Sequence, residues 1–302
     1  MKLPSGWYAF ADPKELSRSK PNRMRRFGMD WVVWRNSQGY WIAQRDACPH
    51  RSARLSLGKI NKNCLICPFH GFRFNDQGVC VHVPEIQRGA PGLKLQSSAL
   101  VERHGFLWMR WGETQAEGPH WFAELENSEF TYASSRHLWP THFSRCVENQ
   151  LDYAHLPFVH AKTIGRGVDP ARPVPWVLSA ESLRVHLGET EVGTNFFEFR
   201  FPNIWRLVVS PKMVQTLMFV PVDHEQTLIY TRSYQRFTRL PILRNLVAWA
   251  SARLANPLIL NEDLRVVLSQ TPRDVRSLDL EETLLPSDRA IVAFRKWLSG
   301  GG

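Results

Sequence analysis

The sequence predicts an α+β protein in two parts, a small all-β domain over residues 1–115 and a mixed domain over 116–302. Three observations lead there. Short apolar runs separated by Gly-bearing turns fill the first third. A polar stretch, GETQAEGPH (112–120), then interrupts the pattern as a linker would. Beyond it, helical segments accompany long strand-like runs.

Taken in order, WVVWRNSQGYWIAQ (31–44) reads as two strands around an Asn-Ser-Gln-Gly turn, FRFNDQGVCVHV (72–83) as a hairpin around Asp76-Gln77-Gly78, and GFLWMRWG (105–112) as a further strand. After the linker come a helical segment near 145–160, the strands TNFFEFRF, QTLMFVPV and TLIYTRSYQRF, and helices from about 241. Phe197, Phe199 and Phe201 alternate along one strand face, a pattern that serves core packing more often than a pocket. The segment LPILRNLVAWASARLANPLIL (240–260) carries Arg244 and Arg253, a charge cost that argues for an amphipathic helix and against a membrane span.

Composition narrows the function. With 43% hydrophobic and 22% charged residues the chain has globular usage. MKLPSGWYAFADPKEL contains no apolar run of the secretory kind, so a cytoplasmic location with reduced thiols is expected. Of the 38 Lys and Arg, 18 lie up to Arg110 beside 7 of the 28 Asp and Glu, leaving 20 against 21 beyond. The formal +10 thus belongs to the first third. No recognition helix, zinc-finger spacing or RNA-binding signature accompanies it, which argues against nucleic acid and leaves an acidic partner or plain solubility.

Chemistry concentrates in CPHRSARLSLGKINKNCLICPFHG (48–71), where three of the five cysteines stand with two histidines. Cys48-x-His50 and Cys67-x-x-His70 each offer one thiolate and one imidazole from a tight turn. Zinc between two Cys and two His remains open here. The same donors suit a [2Fe–2S] cluster with two histidines on one iron, a ligation that raises the potential to roughly −150 to +300 mV. Cys64 and Cys67, three apart, point to opposite faces if the segment is extended, which counts against pairing them. Cys64, Cys80 and Cys146 read as ordinary buried thiols.

In ENQLDYAHLPFVH (148–160), Asn149, Asp152 and His155 recur every third residue and would share one helix face. His160 would fall about 140° round an ideal helix from His155, unless Pro157 kinks the backbone and brings it back. Two imidazoles and one carboxylate would make the facial triad of a non-haem Fe(II) oxygenase.

Together these motifs resemble the Rieske non-haem iron oxygenases, specifically their catalytic (alpha) subunit in the homotrimeric branch. The first stretch, with its Gly58 and Pro-Phe-His-Gly, is similar to the Rieske signature, and N-x-x-D-x-x-H-x4-H matches Asn149, Asp152, His155 and His160. The resemblance implies Cys48 and Cys67 on one iron, His50 and His70 on the other with His70 at the exposed edge, and His155, His160 and Asp263 on a mononuclear Fe(II). Asp263 is nominated because NEDLRVVLSQ (261–270) is similar to the start of the family's ligand-bearing helix. Glu262 is its rival, and a carboxylate at a helix N-terminus is the plainer reading. Asn149 could equally serve only its own helix. Asp152 is implied to bridge the His70 of a neighbouring subunit to His155.

The implied second domain has a helix-grip (START-like) fold. The implied activity uses O2 and electrons from a separate NAD(P)H reductase or ferredoxin, since no dinucleotide motif stands in this chain. It would hydroxylate or oxidatively demethylate a hydrophobic, cyclic substrate. The contrasting reading is a non-catalytic Rieske electron carrier or ligand-binding protein, holding a cluster and no further iron.

Overall fold

The computed structural model describes residues 3–187, 195–238, 240–276 and 280–300, and the chain separates into two compact units, Ser5–Pro119 and His120–Gly302, the latter joined by Leu3 and Pro4. The division thus falls four residues beyond the 115/116 boundary read from the sequence.

The first unit is all β. Strands β1 (Gly6–Ala11), β2 (Asn22–Arg26), β3 (Met29–Arg35), β4 (Trp41–Arg45), β5 (Lys59–Asn61), β6 (Cys64–Ile66), β7 (Arg73–Asn75), β8 (Cys80–His82), β9 (Ser97–Arg103) and β10 (Phe106–Trp111) form two antiparallel sheets. One has the order β1-β10-β9-β4-β3-β2 and the other β5-β6-β7-β8. Both hairpins expected from turn residues are present, β3–β4 with Trp34 opposite Ile42 and β7–β8. A shared core of Val32, Trp34, Ile42, Leu55, Leu65, Phe72 and Phe74 joins the sheets. Gln44 ties them as well: its Oε1 accepts from buried Trp34 Nε1 at 3.1 Å, and its Nε2 donates to Asn75 O at 2.7 Å. The small sheet, whose β6 runs into Cys67, is thus tied to the larger one, whose β4 leads to Cys48.

The second unit contains β11 (Thr131–Trp139), α1 (Phe143–Leu151), α2 (Leu156–Val159), β12 (Trp176–Leu178), β13 (Ser182–His186), β14 (Phe196–Arg200), β15 (Ile204–Ser210), β16 (Met213–Pro221), β17 (Thr227–Gln235), α3 (Pro241–Ala250), a π turn (Ser251–Ala255), α4 (Asn256–Val267) and α5 (Arg289–Leu298). Its seven strands pair antiparallel in the order β11-β17-β16-β15-β14-β13-β12, with helices packed on the sheet as the helix-grip expectation describes. Phe199 meets Phe294 of α5 edge-on at 5.5 Å, and Phe201 stacks on Trp297 at 4.5 Å. Those two aromatics are core.

Two expectations about helices need correction, and a third gains detail. The segment 145–160 is two helices: α1 ends at Leu151, and Asp152 caps it in extended backbone (φ −82°, ψ 128°). The break precedes His155, and Pro157 sits in the first turn of α2, where its missing N–H costs nothing. Asp263 lies inside α4, seven residues past its start, so the helix-start reading of that carboxylate fails. Finally, 240–260 spans α3, the π turn and the first residues of α4, since Pro257 falls in the first turn of α4 and does not break the path. Among the described residues no helix is long and apolar enough to cross a membrane.

Two polar networks fix the helices that matter. Buried Asn256 donates from Nδ2 to Thr231 Oγ1 at 3.1 Å and Ser233 Oγ at 3.0 Å, docking α4 on β17 two turns before Asp263. Arg145 of α1 pairs with Glu148 at 3.0 Å and Glu282 at 2.7 Å, while Arg295 of α5 reaches Glu282 at 2.6 Å. Each charge of this second network has a counterion, as burial demands.

Candidate metal centres

The two cysteine loops close in the same way. Cys48 N–H donates to Ala53 O and Ser52 N–H to Cys48 O, both at 2.8 Å; Cys67 N–H donates to Phe72 O at 2.8 Å and Gly71 N–H to Cys67 O at 3.1 Å. In each, the residue four past the cysteine turns in left-handed backbone, Ser52 at φ 55° and Gly71 at φ 71°. Glycine suits that conformation. Gly58 serves a different need, because a Cβ there would lie 2.0 Å from Ile66 O. The chain leaving the first loop presses directly on the strand entering the second.

This matched closure brings the two thiols together: Cys48 and Cys67 are buried and hydrogen-bonded, and burial, with the neighbouring sulfur, pushes the Cys48 thiol up to about 11. A buried thiol pair so placed gains from a shared cation, which favours both thiolates. The imidazoles of the same two loops also meet, His50 and His70 with ring centroids 4.6 Å apart and His50 stacked on Phe72 at 4.9 Å. Of the two, His50 is exposed and His70 only partly so, because the Phe69 ring lies 3.9 Å from His70. Cys64 sits at the start of β6 opposite Asn75, outside the pair, while Cys80 belongs to the shared core and Cys146 is fully buried, its thiol pushed up to about 12 by burial.

In the second unit, His155, His160 and Asp263 come together with one ligand atom from each within 4.8 Å of the others. Asp263 Oδ1 lies 2.8 Å from His160 Nε2 and 3.5 Å from His155 Nε2, and the Asp263 and His160 side chains are each 1% exposed. Yet Asp263 Oδ1 has no aligned hydrogen-bond donor. Lone pairs that converge without hydrogen-bond geometry are the arrangement a cation satisfies. The two histidines flank the short α2, which turns both Nε2 atoms toward α4.

The electrostatics agree. Burial pulls His155 down, but Asp152 and Asp263 beside it outweigh burial and raise it to about 9. Burial also opposes ionisation of Asp263, yet the facing imidazoles and the Asn149 amide hold it below the usual carboxylate range. Positive charge is favoured at the point where the three side chains meet, and two imidazoles with one carboxylate are a donor set for non-haem iron. The residues fit that ion.

A carboxylate stands beyond each outer nitrogen, but only that of His160 is hydrogen-bonded, and His155 Nδ1 is buried with no aligned partner. His160 Nδ1 lies 2.7 Å from Glu262 Oε2, which also accepts from Thr163 Oγ1 at 2.8 Å, and His155 Nδ1 lies 3.5 Å from Asp152 Oδ2. Glu262, the rival for the third ligand, thus stands behind His160, on the side away from Asp263. Asp152 Oδ1 is occupied by Ala154 N–H at 2.7 Å. Gln150, which the sequence did not single out, donates from Nε2 to Asp263 Oδ2 at 3.3 Å. No spacing signal could have marked it, because only the packing of α1 on α4 makes the pair.

Beside the triad lies a cavity of about 530 Å³, within the range of small-molecule sites. His155, His160 and Asp263 line one part, with Leu156, Ile164, Phe197, Trp205 and Ile259 among the apolar side chains around them and Asp152, Asp169 and Arg172 among the polar ones. Of the three alternating phenylalanines, only Phe197 reaches it.

Comparison with known proteins supplies independent findings. Residues 6–99 match the family model described as "Rieske [2Fe-2S] domain". The chain is 27% identical to chlorophyllide a oxygenase, chloroplastic, of Chlamydomonas reinhardtii over 99% of its own length and 49% of that protein's. It is 30% identical to the vanillate O-demethylase oxygenase subunit of Pseudomonas sp., over 74% and 60% respectively. Among solved structures, a QL mutant of NdmA from Pseudomonas putida CBB5 with caffeine superposes with a TM-score of 0.80 at 23% identity, covering 97% of this chain and 89% of that one. The chain spans about half the length of the first curated relatives it matches.

Proposed function

With a Rieske [2Fe–2S] domain at residues 6–99 and the whole-chain fold of the catalytic subunits of Rieske non-haem iron oxygenases, the protein is, we propose, an oxygenase that hydroxylates or oxidatively demethylates a hydrophobic, cyclic substrate. The observation that carries this reading is the meeting of His155, His160 and Asp263 at the wall of a largely apolar cavity.

When bound, the cluster supplies single electrons and the mononuclear iron supplies O2 activation. The chain's own residues do the rest. Cys48, Cys67, His50 and His70 hold the cluster, and His155, His160 and Asp263 hold the iron. Glu262 orients His160 through Nδ1, as a carboxylate behind a metal-bound histidine does, and Asp152 faces the Nδ1 edge of His155. Gln150 donates to Asp263 Oδ2 and so aims that carboxylate, and the nearby Asn149 amide favours its ionised form. Leu156, Phe197 and Trp205 seat the substrate and exclude water.

Electrons come from a separate NAD(P)H-dependent reductase or ferredoxin, steered by the basic first third of the chain. In a homotrimer, Asp152 would accept a hydrogen bond from the neighbouring subunit's cluster histidine as well as from its own His155. Its 29% side-chain exposure leaves room for that approach. The relatives' names, an oxygenase and an O-demethylase oxygenase subunit, support the reaction class.

The test is a screen of cyclic substrates with a surrogate reductase, reading substrate-dependent NADH and O2 consumption. Consumption coupled to a hydroxylated or demethylated product supports the oxygenase. A cluster that is reduced and reoxidised with no substrate effect supports the carrier.

A further inference from the structure

A second cavity, of about 470 Å³, adjoins the one beside the triad and shares Tyr153 and Arg172 with it. The two differ sharply in charge. Asp152, Asp169 and Asp263 line the triad cavity, whereas among the described residues no Asp or Glu lines its neighbour, which presents Arg172 and Arg289 against apolar walls such as Val174, Trp176 and Leu285. Neither arginine has a carboxylate partner among the described residues: Arg172 donates to Leu187 O at 3.1 Å, and Asp169, its neighbour in the chain, spends its carboxylate on Ala171 N–H at 2.9 Å.

We propose that this adjoining cavity is an anion-holding antechamber, and that Arg172 selects substrates in which an apolar ring carries a carboxylate. The proposal rests on the oxygenase reading and names the substrate class of the same site. A carboxylate entering apolar surroundings must find a partner, and a guanidinium offers two parallel donors matched to it. The arginines draw the substrate's acid into the antechamber, and a ring attached to it reaches the triad cavity past the shared wall of Tyr153 and Arg172. Arg289, which is exposed, meets the anion first; Arg172, partly buried on the shared wall, holds it.

The test compares 3-phenylpropionate with 3-phenylpropionamide, equal in shape and differing in charge, binding to the metal-loaded protein by calorimetry. The expected result is at least tenfold tighter binding of the acid, as hydrogen bonds between charged groups support, and loss of that preference in Arg172→Gln. Equal binding of acid and amide overturns the proposal. So does a preference that survives Arg172→Gln, the outcome of a carboxylate sitting on the metal. If Arg172→Gln fails to fold, Arg289→Gln decides at an exposed position: a severalfold drop in preference supports the antechamber, and no change overturns it. Binding is read without turnover, so a protein that prefers the acid but never oxidises a substrate keeps this inference and loses the oxygenase reading.

Discussion

His160 Nε2 lies 2.8 Å from Asp263 Oδ1, two atoms from side chains that are almost wholly buried, and the oxygen has no aligned donor. On the other edge of the same ring, Nδ1 lies 2.7 Å from Glu262 Oε2. Adjacent acids on α4 therefore do different jobs. Asp263→Ala is expected to abolish turnover and mononuclear iron while sparing the cluster spectrum. Glu262→Gln should keep the iron but bind it about 10–100-fold more weakly, the usual cost of losing a carboxylate behind a ligand histidine. Iron titration of the two variants checks this, and the reverse order would exchange the roles.

Asp152 touches no other member of the triad than His155, with its second oxygen fixed by Ala154 N–H. Asp152→Asn keeps the size and loses the charge. Both centres should stay loaded while reoxidation of the pre-reduced cluster, in one turnover with substrate and O2, slows by orders of magnitude. Loss of the mononuclear iron instead would make Asp152 a builder of the site.

His142 caps α1, the helix that carries Asn149 and Gln150, by accepting from Ser144 N–H on Nδ1. Burial pulls its pKa from 6.5 down to about 4. The unfolded chain therefore binds the proton more readily, so stability should fall as pH drops from about 6.5 through about 4, by up to about 3 kcal/mol. Thermal midpoints between pH 7.5 and 5 check the slope, and His142→Gln should flatten it. A slope unchanged in that variant would assign it to other groups.

The charge of the first third predicts salt sensitivity. Steering between exposed charges is screened over about 8 Å at physiological ionic strength, so transfer from an acidic donor to the cluster should slow steeply with added salt. A rate flat in salt would point to apolar docking, for which exposed Phe69 beside the cluster histidine is the nearest candidate.

The cluster loops were legible because their donors are close in sequence and their turns are local: Ser52 and Gly71 close equivalent loops around Cys48 and Cys67. The strands of the first unit were legible for the same reason, as hairpins announced by Asn-Ser-Gln-Gly and Asp-Gln-Gly. The triad was legible only in part. Helical periodicity grouped Asn149, Asp152 and His155 correctly for the wrong reason, since α1 ends between them and it is the extended Asp152 that redirects the chain. Asp263 came from resemblance alone, and its place inside α4 depends on Asn256 docking that helix to β17. Gln150 left no sequence signal, because it gains its role from an element far away in the chain.

The central claim, one cluster and one mononuclear iron held by the same chain, is tested most directly by metal and acid-labile sulfide analysis of the purified protein. The account expects about three irons and about two sulfides per chain, falling to about two irons with sulfide unchanged in His155→Ala/His160→Ala. About two irons in the unaltered protein, unaffected by those substitutions, or zinc with no sulfide, would contradict it.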